Sequence, residues 1–193
     1  EYGCAYVNFF YNNVLITNSL ANGSAFYHYP NFSSSFIKAV NNNLINKGGG
    51  YAYNVPGTNT GDIDSVNFNN AYSNGTNLTN WGGTNYTTFS GWQGASGKDG
   101  NSINKDPGYT GNTNLHVSNI SLNGKALPYS AIIDDIDNDT RDNTTPDMGA
   151  DEFFPIANDA GVANLDSPLL FCAGKQMVKV KFQNYGYDTI KSI

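Results

Sequence analysis

Short apolar segments alternate with clusters of asparagine and glycine along the first half of the chain. Val14-Leu15-Ile16 follows one asparagine pair, and similar segments follow the pairs Asn42-Asn43 and Asn69-Asn70. Asparagine and glycine tolerate the left-handed backbone of tight turns, so each apolar segment is typical of a β-strand bounded by turns. The pattern therefore predicts an all-β chain of short strands.

The asparagine pairs recur at nearly equal intervals. Asn13, Asn43 and Asn70 are spaced by 30 and 27 residues. Such a period is in the range of solenoid repeats, whose units bury their apolar faces only when they stack. In stacked repeats, asparagines at equivalent turns would form hydrogen-bonded ladders. The alternative is that each asparagine caps its own loop.

Composition and charge exclude some classes of protein. The net charge is −6, which disfavours nucleic-acid binding because that function needs a basic surface. No apolar run approaches the length of a membrane span. The chain begins and ends within strand-like patterns, so we expect a segment of a larger protein, with neighbouring domains of the same chain as its first partners.

Aromatic residues are frequent in the polar segment 74–94. Trp81, Tyr86 and Trp92 lie there among glycine, asparagine and threonine. Aromatic faces in a polar loop can stack on sugar rings, which makes these three residues candidates for carbohydrate binding. The alternative is a small satellite core. Asp62 and Asp64 are expected on one strand face, where their two carboxylates could serve as an acid/base pair.

Acidic residues are densest between residues 134 and 152. Asp135, Asp137 and Asp139 alternate there, and Asp147 follows. Carboxylate oxygens suit Ca²⁺, the one cofactor that the sequence suggests, so these four residues are its candidate ligands. Arg141 lies among them, and its guanidinium favours the alternative of an arginine-centred polar network that closes the last repeat.

Residues 91–154 carry several motifs in a specific order. They are Gly97-x-Asp99-x-Asn101-Ser102, Asp106-Pro107-x-Tyr109, Leu115-His116, Asp135-Ile136-Asp137-Asn138-Asp139-x-Arg141 and Pro146-Asp147-Met148-Gly149-Ala150-Asp151-Glu152-Phe153. This order resembles the C-terminal rungs of right-handed parallel β-helix domains, of the pectate-lyase-like kind, in large secreted bacterial surface proteins. Asn138 and Met148 depart from the usual glycine and isoleucine. The resemblance implies a right-handed parallel β-helix over residues 1–155.

The pattern changes after Pro155. Val178, Val180 and Phe182 alternate with lysines, as in a half-buried strand. Residues 156–193 resemble the first strands of an Ig-like or CARDB-like β-sandwich, which implies a second, truncated domain. Cys172 is a candidate for a disulfide to a residue outside the chain, formed in an oxidising compartment.

Ser65 and Thr189 lie in Asp-(Ser/Thr)-aliphatic triplets, which resemble the O-glycosylation acceptors of bacteria with type IX secretion. The resemblances together imply a secreted, glycosylated cell-surface protein in which this segment is structural or adhesive, as a stalk, fibre or adhesin. No catalytic residue is predicted, and the sequence favours a non-enzymatic role. The alternatives are a polysaccharide-active β-helix lyase or glycoside hydrolase, or a carbohydrate-binding module. The expected partners are then cell-surface polysaccharide or further copies of the chain.

Overall fold

The computed structural model describes residues 6–29, 36–58, 60–168, 170 and 173–191. The chain divides into two compact units, Glu1–Phe153 and Phe154–Ile193, close to the boundary expected after residue 155. Strands predominate, which confirms the all-β prediction. Across the described ranges, no helix combines the length and apolar character that a membrane crossing requires.

In the described part of the first unit there are ten strands and short helical segments. The strands are β1 (Tyr6–Phe10), β2 (Asn13–Ile16), β3 (Ser24–Tyr27), β4 (Phe36–Val40), β5 (Asn43–Asn46), β6 (Tyr51–Val55), β7 (Ile63–Asn67), β8 (Asn70–Ser73), β9 (Thr79–Trp81) and β10 (Thr84–Tyr86). The helices are α1 (Phe89–Ser96) and two 3₁₀ helices, Thr60–Asp62 and Ile120–Leu122.

Consecutive strands of this unit are distributed in turn over three sheets. Sheet A has the order β1-β4-β7, sheet B the order β2-β5-β8, and sheet C contains β3-β6-β9 with β10 at its edge. Strand pairing is parallel throughout, except between β9 and β10. Asn13 pairs with Asn43 and Asn43 with Asn70, which confirms the repeat that the asparagine spacing predicts. A further bridge from Asn70 to Ile103 continues the register.

The corner between sheets A and B has the same backbone conformation in each repeat. Tyr11, Asn41 and Phe68 have φ values of 54°, 63° and 55°, in the left-handed region. This conformation is uncommon for large side chains such as Tyr and Phe. Because this conformation recurs at equivalent positions, the asparagine that follows it in one repeat stacks on the corresponding asparagine of the next repeat.

The main hydrophobic core lies among the three sheets. It includes Leu44, Tyr53, Val66 and Trp92, all buried. All four residues of β5 are buried, whereas those of β2 are half-buried. The difference follows from position, because β5 lies between two strands and β2 pairs with β5 alone among the described strands.

Helix α1 was not expected in a segment whose composition favours turns. Thr88 caps its first turn, with the hydroxyl oxygen accepting a hydrogen bond from the Gly91 N–H at 3.1 Å. Gly97 ends the helix in the left-handed conformation, with φ of 66°. These two caps supply partners for the helix ends, so that the short helix is stable despite its glycines.

The second unit contains the antiparallel strands β11 (Ala160–Ser167) and β12 (Lys179–Asn184). Val162 lies opposite Phe182, and Leu165 opposite Val180, so a strand is confirmed from Lys179 onward. The expected alternation of burial is not seen, because Val180 is half-buried whereas Val178 and Phe182 are exposed. The Ig-like or CARDB-like module stays a prediction. Cys172 lies outside the described residues.

Candidate functional sites

The corner asparagines form a continuous ladder through the repeats. Asn42 Oδ1 accepts hydrogen bonds from the backbone N and the Nδ2 of Asn12, both at 2.9 Å. Asn69 Oδ1 does the same for Asn42, at 2.8 and 3.0 Å. In the next turn, the Asn69 backbone N donates to Ser102 Oγ at 2.7 Å, and its Nδ2 to Asp99 Oδ1 at 3.3 Å. These contacts confirm the prediction that asparagines at equivalent turns form a hydrogen-bonded ladder.

Asp99, the carboxylate at the end of this ladder, is completely buried. Trp92 Nε1 donates to its Oδ2 at 2.7 Å, and the Ser102 hydroxyl donates to its Oδ1. Burial raises the pKa of Asp99, while the hydrogen bonds from Ser102, Trp92 and Asn69 act in the opposite direction. The carboxylate is surrounded by donors of its own chain, so its role is structural.

A second row of asparagines holds the C-terminal segment of this unit. Asn43 Nδ2 donates to Asn13 Oδ1 at 2.8 Å and to the carbonyl oxygen of Met148 at 2.9 Å. Asn13 Oδ1 also accepts from the Ala150 N–H at 3.1 Å. Gly149 lies against this row with φ of 97°, and a Cβ there would be 2.1 Å from side-chain atoms of both asparagines. The Met-Gly-Ala motif therefore requires glycine at its centre.

Arg141 is the centre of a buried polar network. Its Nη1 is 3.3 Å from Glu152 Oε2, and its Nη2 donates to the carbonyl oxygens of Gly149 and Ala150 at 3.1 and 2.9 Å. The guanidinium carbon lies 4.2 Å from the ring centroid of Tyr11. The predicted arginine-centred network is confirmed, with Glu152 as the acid of this segment that pairs with Arg141.

The four predicted Ca²⁺ ligands do not come together. Asp135 Oδ1 accepts the backbone N–H groups of Asp137 and Asp139, each at 2.8 Å, so this carboxylate closes its own loop. Among the described residues, one group of candidate metal ligands has the required proximity, and it includes Asp137 but not Asp135, Asp139 or Asp147. Alternating spacing thus failed to predict which carboxylates share a site.

Asp147, the fourth of these residues, is fully buried. Its oxygens accept the backbone N–H groups of Gly124 at 2.5 Å and Phe153 at 2.9 Å. Burial raises the pKa of Asp147 to about 6, and the nearby Glu152 charge adds to the increase. This carboxylate ties two loops of the C-terminal segment together.

The three aromatic residues predicted to bind carbohydrate differ in exposure. Trp92 is completely buried and stacks on Tyr53, with ring centroids 4.9 Å apart. A sugar ring cannot reach it, so the prediction is wrong for Trp92. Trp81 and Tyr86 are half-buried, and Trp81 packs edge-on against Trp92 at 5.1 Å. For these two residues, carbohydrate binding stays a prediction.

Asp62 and Asp64 do not share a strand face. Asp62 ends a 3₁₀ helix, is buried, and has its Oδ2 3.0 Å from His28 Nε2. Asp64 lies within β7, is exposed, and forms an ion pair with Lys38 at 3.4 Å. The 3₁₀ helix breaks the alternation that would have aligned the two side chains.

A cluster of His116, Asp137 and Asp151 was not predicted from the sequence. His116 Nε2 is 2.5 Å from Asp137 Oδ2, and one ligand atom of each residue lies within 4.8 Å of the other two. Asp151 is 4% exposed, and its Oδ2 accepts the Val117 N–H at 2.6 Å. The hydrogen bond to Asp137 raises the pKa of His116, and burial raises that of Asp151. No short metal-ligand spacing links these residues in the sequence.

The two O-glycosylation candidates have different surroundings. Ser65 is half-buried in β7, whereas Thr189 is exposed and lines an open cleft of the second unit.

No protein-family model, curated protein or solved structure matches this chain.

Proposed function

We propose that the first unit is a right-handed parallel β-helix and serves as a structural or adhesive segment of a secreted, multidomain cell-surface protein. The observation that supports this proposal is the ladder of Asn12, Asn42 and Asn69 across successive repeats, in which Asn42 and Asn69 are fully buried. Asn42 and Asn69 each accept hydrogen bonds from both a backbone and a side-chain donor of the preceding repeat.

Such a ladder suits a rod-like segment for a physical reason. Repeats that stack through neutral amides place no like charges on one another, so stacking can continue without electrostatic cost. Parallel strand pairing adds main-chain hydrogen bonds between the same repeats. The asparagine ladder and the strand pairing therefore both stabilise the stacking of repeats along one axis, as a stalk or fibre requires.

A surface location is part of the same proposal. Ser65 and Thr189 would carry O-linked glycans, and the partners would be neighbouring domains, cell-surface polysaccharide or further copies of the chain. Thr189 is exposed, as an acceptor must be, whereas Ser65 is half-buried. We therefore expect Thr189 to be the more completely modified of the two.

An antibody against this chain tests the proposal on the source cells. We expect it to label intact cells, to lose its target when external protease is added, and to detect a native species far larger than 20.8 kDa. Labelling confined to permeabilised cells would refute a surface role. A native mass close to that of the chain would refute the multidomain part.

A further inference from the structure

The ring of His116 has a hydrogen-bond acceptor at each nitrogen. Nδ1 contacts Asn114 Oδ1, and Nε2 is 2.5 Å from Asp137 Oδ2. The same Asn114 oxygen also accepts the His116 backbone N–H at 3.2 Å, which fixes the orientation of the amide. A neutral imidazole carries one N–H only, so one nitrogen would direct a lone pair at an acceptor. This arrangement requires a cation, either a second proton or a metal ion.

The carboxylates around this ring strengthen the requirement for a cation. Asp137 and Asp151 both belong to the cluster, and the Asp135 charge is close enough to act on Asp151. No Lys or Arg side chain forms an ion pair with these three carboxylates in the described ranges. A divalent ion would neutralise the excess of negative charge.

Asp151 is held in place before any ion binds. It is 4% exposed, and the Val117 N–H, next to His116 in the chain, holds its Oδ2 at 2.6 Å. Its other oxygen has no hydrogen-bond partner within the described part of the chain. A buried carboxylate with one oxygen fixed and one oxygen free is a pre-organised ligand, because little side-chain freedom remains to be lost on binding.

We propose that His116 Nε2, Asp137 Oδ2 and a carboxylate oxygen of Asp151 form a binding site for a divalent transition-metal ion of the zinc class. The imidazole nitrogen distinguishes this site from a Ca²⁺ site, since Ca²⁺ takes oxygen ligands. Three protein ligands leave at least one coordination position for water or an external group.

The ligand atoms must move to accept the ion. Two ligand atoms bound to Zn²⁺ at tetrahedral angles are about 3.3 Å apart, as follows from bond lengths of about 2.0 Å. His116 Nε2 and Asp137 Oδ2 are 2.5 Å apart and must separate slightly. Their side chains are 46% and 49% exposed, so both can rotate without disturbing the core.

Titration calorimetry with Zn²⁺ on the whole chain tests this site, with Cys4 and Cys172 replaced by serine in every sample so that thiolates cannot contribute. We expect one bound equivalent, and a loss of affinity of at least about tenfold in His116→Gln and in Asp137→Asn. Asp139→Asn is the matched control, because Asp139 lies in the same exposed loop but outside the cluster, and it should bind normally. Circular dichroism verifies that each variant is folded.

A second measurement uses the unsubstituted ligands. Substoichiometric Co²⁺ or Mn²⁺ should broaden the ring resonances of His116 and leave those of His28, which pairs with Asp62, unchanged. Equal Zn²⁺ affinity in His116→Gln, no Zn²⁺ binding, or unaffected His116 resonances would each overturn the proposal. Ca²⁺ that displaces Zn²⁺ at comparable concentration would overturn the choice of metal class.

Discussion

The asparagine ladder and the acidic segment 134–152 both bury polar groups, but with different chemistry. The ladder uses neutral amides, and the amide of each repeat donates to the asparagine of the next, from Asn12 to Asn42 and from Asn42 to Asn69. The acidic segment depends on Arg141 and Glu152, which are only 6% and 5% exposed. Burying an ion costs far more than burying an amide, so removal of one charged partner should be the more damaging change.

The largest effect is expected for Arg141→Met. This change removes the ion pair and leaves the buried Glu152 carboxylate without its cation, which should cost about 3–5 kcal/mol of unfolding free energy. Contacts with the Gly149 and Ala150 carbonyl oxygens and with the Tyr11 ring are lost as well. Urea denaturation followed by circular dichroism gives the free energy.

Glu152→Gln in the same background provides the control for this prediction. Removing the unpaired charge should restore part of the stability, because a neutral amide is less costly to bury than a carboxylate. Equal stability of the single and double variants would show that packing on Tyr11, and not the buried charge, carries the effect.

An intermediate effect is expected for Asn42→Ala. The Asn12 N–H and the Phe9 carbonyl oxygen lose the partners that they have at 2.9 and 2.7 Å. Unsatisfied buried groups cost about 1–3 kcal/mol each, so we expect a total loss of about 2–4 kcal/mol in urea denaturation. Asn8→Ala, at an exposed position of β1, is the matched control and should stay within about 0.5 kcal/mol of the original chain. Similar losses in both variants would contradict a special role of the ladder.

The same comparison explains what could be predicted from the sequence. Asn13, Asn43 and Asn70 revealed the repeat because stacking recurs at a nearly constant interval, which a linear pattern records. Arg141 was also predictable, since a lone guanidinium among carboxylates must find a partner. Its partner Glu152 was not, because the pairing depends on how the loop folds back over Tyr11.

Two features were beyond a reading of the sequence pattern. Helix α1 was hidden because its caps, Thr88 and Gly97, resemble ordinary turn residues. Because Trp92 of this helix is buried, the prediction that it binds carbohydrate is wrong. The cluster of His116, Asp137 and Asp151 was hidden because three separate loops bring its members together. Local spacing contains no information on such contacts.

The smallest effect is a pH dependence that Asp147 should impart. Its pKa is about 6 in the folded chain, above the usual value of about 3.9 for an unfolded aspartate. Between these values the folded state keeps a proton that the unfolded state has lost, so stability should fall as the pH rises from about 4 to about 6 and then level off. Asp147→Asn removes this titration, and the stability difference between the original chain and the variant should therefore be larger near pH 4 than near pH 7. Urea midpoints across this range measure that difference. A difference that increases with pH would show that Asp147 is stabilised as a carboxylate by the Gly124 and Phe153 N–H groups, and that these hydrogen bonds outweigh its burial.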